Sequence, residues 1–123
     1  MPQIKRATLE ALLLAARNTF PDEFIALLSC TQKGGKVIDE YVLLPATYGK
    51  TFSSIRLDLL PYTAGTLGSV HSHPSSNAMP SRADLGVFRT EGEIHLIIAS
   101  PFNFQSVKAY NGKGKEIFLD VIE

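Results

Sequence analysis

Three things are scarce in this chain of 123 residues. Cysteine occurs once, at Cys30. One cysteine closes no internal disulfide, so the fold cannot rest on a disulfide framework. Cys30 follows the apolar run Phe24-Ile25-Ala26-Leu27-Leu28 and is expected to be a small core residue, since nothing nearby supplies the base that a nucleophilic thiol needs. Net charge is also missing: Lys plus Arg and Asp plus Glu number 12 each. Such a balance gives no long-range pull toward nucleic acid or an acidic membrane surface. Finally, no apolar run approaches the ~20 residues that span a bilayer. The first twenty residues carry Glu10 and Arg17 at helical spacing rather than the clean apolar stretch of a signal peptide, so a cytoplasmic protein is expected.

Against these absences, 45% hydrophobic and 20% charged residues are enough for one packed domain, expected to span residues 1–123. Ile4, Leu9, Leu12, Leu13 and Ala16 recur at three- and four-residue spacings and predict a helix over residues 3–19, closed by Pro21. Residues 23–31 and 37–44 read as a hairpin around Gly34-Gly35. Strands are expected over 50–57 and from Thr66 to His71, with a loop over 74–80 and a short helix over 81–89. Strands are expected at 94–99, 106–110 and 116–121, the last two joined by the turn Asn111-Gly112-Lys113-Gly114. The order is helix, strands, helix, strands: an α+β domain.

Histidine is scarce as well. The chain has three, and two of them lie in His71-Ser72-His73. Residues i and i+2 of a strand face the same side, so both imidazoles can aim at one point. Asp84 follows on the next helix and supplies a carboxylate. Two His and one Asp with a fourth position left for water is a catalytic zinc arrangement rather than a structural one. Such a site also needs a group to take the water's proton, and between 71 and 84 only Asp84 qualifies, already used as a ligand. The base must therefore come from elsewhere in the chain. Ser81 can donate to a developing oxyanion. A plainer alternative treats Ser81-Arg82-Ala83-Asp84 as a helix cap, with Asp84 unsuited to capping and ligating at once, and the histidines as surface decoration. Other zinc patterns are absent: no His-Glu-x-x-His, no Asp-His pair after His73 and no Pro-Cys-x-x-Cys. His95, within Ile94-His95-Leu96-Ile97-Ile98, reads as a satisfied strand histidine.

The stretch Gly68-Ser69-Val70-His71-Ser72-His73-Pro74, followed after seven residues by Ser81 and after two more by Asp84, resembles the JAMM motif of MPN+ metalloproteases. Nearly the whole chain is similar to the small single-domain archaeal-type members. The resemblance implies a cytidine-deaminase-like α+β fold, with a mixed, mostly antiparallel, curved sheet flanked by helices. It implies one zinc ion per chain on His71, His73 and Asp84, with Ser81 at the oxyanion. It places the general base at Glu23, where the first helix gives way to the first strand, with Glu40 as the rival. The implied activity is isopeptidase cleavage that removes a ubiquitin-like, SAMP-type modifier, also a sulfur carrier, from a lysine of its target. The implied partners are therefore ubiquitin-like or sulfur-carrier protein conjugates, and the motif names no oligomeric state. The segment from Lys50 to Gly65, with Phe52, Ile55, Leu57, Leu59, Leu60 and Tyr62, matches the place of a family insertion and is a candidate edge for the modifier's extended tail. The short loop from Ser75 to Pro80 implies a weak grip on a second, proximal modifier. Two other roles use the same family: a zinc peptidase that trims a sulfur-carrier C-terminus or its small adducts, and a non-catalytic MPN interaction module, which typically lacks the metal residues present here. A DNA-repair role is disfavoured by the neutral charge.

Overall fold

The computed structural model describes residues 1–44, 66–89 and 92–123. The expected strand at 50–57 and the candidate docking segment at 50–65 lie outside the described residues. The elements in chain order are β1 (Gln3–Lys5), α1 (Arg6–Thr19), β2 (Ile25–Ser29), β3 (Val37–Ile38), β4 (Glu40–Leu43), β5 (Thr66–His73), α2 (Arg82–Phe88), β6 (Ile94–Ala99), β7 (Val107–Tyr110), β8 (Glu116–Ile117) and β9 (Asp120–Ile122). A 3-10 turn, Phe104–Ser106, precedes β7. The α+β class holds: two helices flank a six-stranded sheet of order β4-β2-β5-β6-β7-β8, in which β5 and β6 are parallel and every other neighbouring pair is antiparallel. No helix of the described residues is long and apolar enough to cross a membrane.

A second sheet, β3-β1-β9, was not legible in the sequence. The helix expected from residue 3 begins at Arg6, because Gln3–Lys5 pairs in parallel with β3 on one side and β9 on the other, burying Ile4 completely. The same sheet splits two expected strands. Residues 37–44 divide at Asp39 into β3 and β4, which belong to different sheets. Residues 116–121 divide into β8 and β9 for the same reason. In each case a local apolar pattern is shared between two surfaces, and only tertiary pairing shows where it divides. The turn at 111–114 forms as expected: Asn111 N–H bonds the Lys115 carbonyl, Asn111 Oδ1 accepts from Lys113 and Lys115, and Gly114 takes a φ of 82°.

Side-chain alternation sorts the large sheet into two faces. Phe24, Ala26, Leu28, Val70, Leu96, Ile98 and Ala109 pack with Leu9, Leu12, Leu13 and Ala16 of α1. Ile25, Ile97, Ala99 and Tyr110 pack with Phe88 of α2 on the other face. The parallel β5–β6 pair starts at Gly68 opposite Ile94. A Cβ there would lie 1.6 Å from the Ile94 carbonyl oxygen, so only glycine permits this approach. Cys30, expected in the core, lies just past β2 and is half-buried.

Candidate metal centre

β5 runs two residues beyond the expected end at His71, which brings His73 onto the strand. His71 and His73 therefore share the α2 face. His71 is fully buried and His73 partly so. The chain then turns through 74–81 into α2, whose first turn carries Asp84. His71 Nε2 lies 3.1 Å from His73 Nε2 and 3.3 Å from Asp84 Oδ2, and His73 Nε2 lies 3.4 Å from the same oxygen. A four-coordinate zinc with bonds of about 2.0–2.1 Å spaces its ligand atoms roughly 3.3–3.4 Å apart. The three donors thus form nearly one face of the tetrahedron that such an ion needs. Among the described residues, these three form the one cluster of three or more potential metal ligands.

Asp84 joins the capping and ligand geometries that had looked incompatible. Ser81 caps α2 by accepting the Asp84 N–H at 3.0 Å, and Asp84 Oδ2 accepts the Ser81 N–H at 3.0 Å while facing both imidazoles. A carboxylate has about four lone-pair positions, so one group serves both. His73 Nδ1 donates to the Asn77 carbonyl at 2.9 Å, which leaves the Nε2 lone pair of the neutral ring aimed at the cluster. Burial pulls the His71 pKa down, with Asp84 opposing. The Asp84 hydrogen bond raises that of His73 against a smaller burial effect. Burial pushes Asp84 up, but His71, His73 and the Ser81 amide together hold it well below the usual carboxylate range. Two lone pairs and one ionised carboxylate converging in a largely buried site are the donor set of a divalent cation.

Glu23 comes to the same end of the sheet. β2 pairs antiparallel with β5, Ile25 opposite His71. Glu23 lies two residues before β2, and the same register continued that far would set it across from His73. Its negative charge favours the protonated form of both imidazoles, a small effect beside burial and Asp84. Glu40 is exposed and accepts from Ser29 Oγ at 3.0 Å. Ser29 is four residues from Ile25 along β2, about 13 Å at 3.3 Å per residue, so Glu40 belongs to the opposite end of the strand.

Residues 5–111 match the family of prokaryotic homologs of the JAB domain. The chain belongs to this family. A probable metalloprotease of Haloferax volcanii is 32% identical over an alignment that covers 94% of this chain and 76% of that protein. A solved structure described as "JAMM: a metalloprotease-like zinc site in the proteasome and signalosome" has a TM-score of 0.78 and 37% identity, covering 100% of this chain and 99% of its own. A JAB1/MPN domain protein from Archaeoglobus fulgidus superposes with a TM-score of 0.81 at 40% identity, covering 98% and 99% of the two chains.

Two residues of this JAB-family chain escaped the sequence reading. Asn77 fixes the His73 tautomer through its carbonyl, and Ser72, between the histidines, accepts from the Phe24 amide next to Glu23. A backbone carbonyl leaves no trace in residue type, and the middle residue of a His-x-His motif looks like a spacer. His95 is bonded at both ring nitrogens, to Ser69 Oγ at 2.7 Å and the Gly92 carbonyl at 3.0 Å, and stacks on Phe88 at 4.3 Å. Burial pulls its pKa down, so it stands as a neutral wall behind the site.

Proposed function

We propose that this JAB-family chain is a zinc-dependent isopeptidase that acts on conjugates of a ubiquitin-like modifier, with residues 1–123 as one catalytic domain. The observation that carries the reading is the spacing of His71 Nε2, His73 Nε2 and Asp84 Oδ2 at 3.1–3.4 Å. The metalloprotease named for the Haloferax relative and the zinc site named for the JAMM structure support it. His71, His73 and Asp84 hold the metal. Bound zinc polarises a carbonyl and brings the pKa of water near 7.

The remaining steps belong to the chain's own residues. The Glu23 carboxylate takes a proton from the attacking water and passes it to the leaving lysine nitrogen, so that one group serves as base and then acid. The Ser81 hydroxyl accepts from the Asp84 amide and keeps its own O–H to donate to the developing oxyanion. Burial of His71 and Asp84 keeps bulk water from screening these charges. Residues 50–65 are proposed to contact the modifier's tail.

The test is metal content together with cleavage of a lysine-linked ubiquitin-like conjugate, before and after chelation. One zinc per chain and cleavage lost on chelation and restored by zinc is the expected result. One zinc with cleavage only of a short C-terminal extension or a small adduct would favour the sulfur-carrier peptidase instead. A metal-free, inactive protein would overturn both.

A further inference from the structure

The ladder between β2 and β5 ends in an unusual way. At Phe24, opposite Ser72 in register, one of the two cross-strand bonds is made by a side chain. Ser72 N–H donates to the Phe24 carbonyl at 2.9 Å, but Phe24 N–H donates to Ser72 Oγ at 2.8 Å rather than to a backbone carbonyl. Ser72 and Phe24 are both buried, so water offers no replacement for that acceptor. Alternation points Ser72 to the face opposite the two histidines, so it contributes nothing to the donor cluster. The residue before Phe24 is Glu23. The hydroxyl between the two proposed ligands therefore fastens the backbone on which the proposed base is mounted.

We propose that Ser72 is a positioning residue for Glu23, registering the carboxylate against the metal centre through the Phe24 amide. The proposal rests on Glu23 as the base. Its physical content is distance: a base displaced by about 1 Å from a reacting proton costs on the order of 100-fold in rate. A buried serine that merely stabilised the strand would lower melting temperature without touching turnover.

The experiment compares Ser72→Ala, Ser72→Thr and Ser69→Ala in the full chain. Ser69 is an equally buried serine of the same strand, bonded to His95 and remote from Phe24. Hydrogen exchange of the zinc-free proteins is read first. The Phe24 amide should be protected in the parent, Ser72→Thr and Ser69→Ala, and should exchange at least tenfold faster in Ser72→Ala. With zinc at one per chain in all variants, kcat of Ser72→Ala should fall about 10- to 100-fold at constant KM, Ser72→Thr should recover most of it, and Ser69→Ala should keep the parent value. The Ser72→Ala step is then repeated in a Glu23→Gln background, where it should cost nothing further, because its target is gone.

An unchanged Phe24 exchange rate, an equal kcat loss in Ser69→Ala, or a full additional loss in the Glu23→Gln background would each overturn the role of Ser72. Failure of Glu23 itself looks different: Glu23→Gln would retain turnover, and both assignments would fall together.

Discussion

Asp84 has two jobs in one carboxylate, and two substitutions separate them. Asp84→Ala removes the acceptor for the Ser81 N–H and the oxygen that faces both imidazoles. Asp84→Asn keeps an oxygen for Ser81 and keeps the 84 amide on Ser81 Oγ, but loses the charge that a divalent ion requires. Losing a helix cap costs about 0.5–2 kcal/mol. For a chain of this size that is roughly 2–8 °C in Tm, at about 4 °C per kcal/mol. Zinc at a free concentration of 100 times its Kd adds about 2.7 kcal/mol to the parent, roughly 10 °C. In chelator, Asp84→Asn should melt within about 2 °C of the parent and Asp84→Ala below it. On adding zinc, only the parent should shift upward. The assay is scanning calorimetry with and without zinc, alongside metal content by mass spectrometry. One zinc per chain retained in either variant would refute the ligand set. An Asp84→Asn protein that melts as low as Asp84→Ala in chelator would refute the shared-oxygen account of the cap.

Three further outcomes are expected. Glu23→Gln should keep one zinc per chain and lose about 10²–10⁴-fold in kcat, the worth of a positioned base; retained turnover measured at full metal loading would remove Glu23 from that role. His95 titrates below its ordinary value when folded, so its contribution is full above about pH 6.5 and fades as pH falls from there toward the depressed folded pKa. His95→Gln, compared with the parent by urea unfolding at saturating zinc, should flatten that decline by up to about 1.4 kcal/mol per pH unit; superimposable pH profiles would sink the assignment. Gly68→Ala places a methyl against the Ile94 carbonyl and should lower stability by about 3 kcal/mol; an unchanged urea midpoint would contradict the close approach of β5 and β6.

Much of the site was legible because its chemistry is compressed into fourteen residues. Two imidazoles at i and i+2 need only one strand, and a carboxylate eleven positions past His73 needs only one turn and one helix start. α1 was legible past Arg6 because Leu9, Leu12, Leu13 and Ala16 fall on one helical face and all are buried. What stayed hidden depends on partners remote in sequence. Gln3–Lys5 is a strand only because Asp120–Ile122 and Val37–Ile38 lie on either side of it. Residue identity alone did not separate Glu23 from Glu40; the family resemblance named Glu23, and the antiparallel register that brings the start of β2 to the end of β5 spans more than forty residues. The dual use of Asp84 was misjudged because one-residue-one-role counting ignores that a single carboxylate oxygen carries two lone pairs.

The topology explains why these groups meet at one end of the sheet. β5, α2 and β6 form a parallel crossover, and such units leave a crevice outside the carboxyl end of the first strand, at the start of the helix. His73 is the last residue of β5 and Asp84 lies in the first turn of α2, so the crossover alone assembles the donor set. A proton acceptor must then arrive from another direction, since the crossover has no spare carboxylate among its described residues near the cluster. β2 runs antiparallel to β5, so the start of β2 lies against the end of β5, and the residue entering β2 is delivered to the metal centre whatever precedes it. Glu23 occupies that entry, at the edge of the ladder, where regular pairing would otherwise fray. On the proposed reading of Glu23 as base, a side chain that closes the last rung from the β5 side is what its placement requires. Ser72 supplies it from inside the same His-Ser-His motif that supplies two of the three donors.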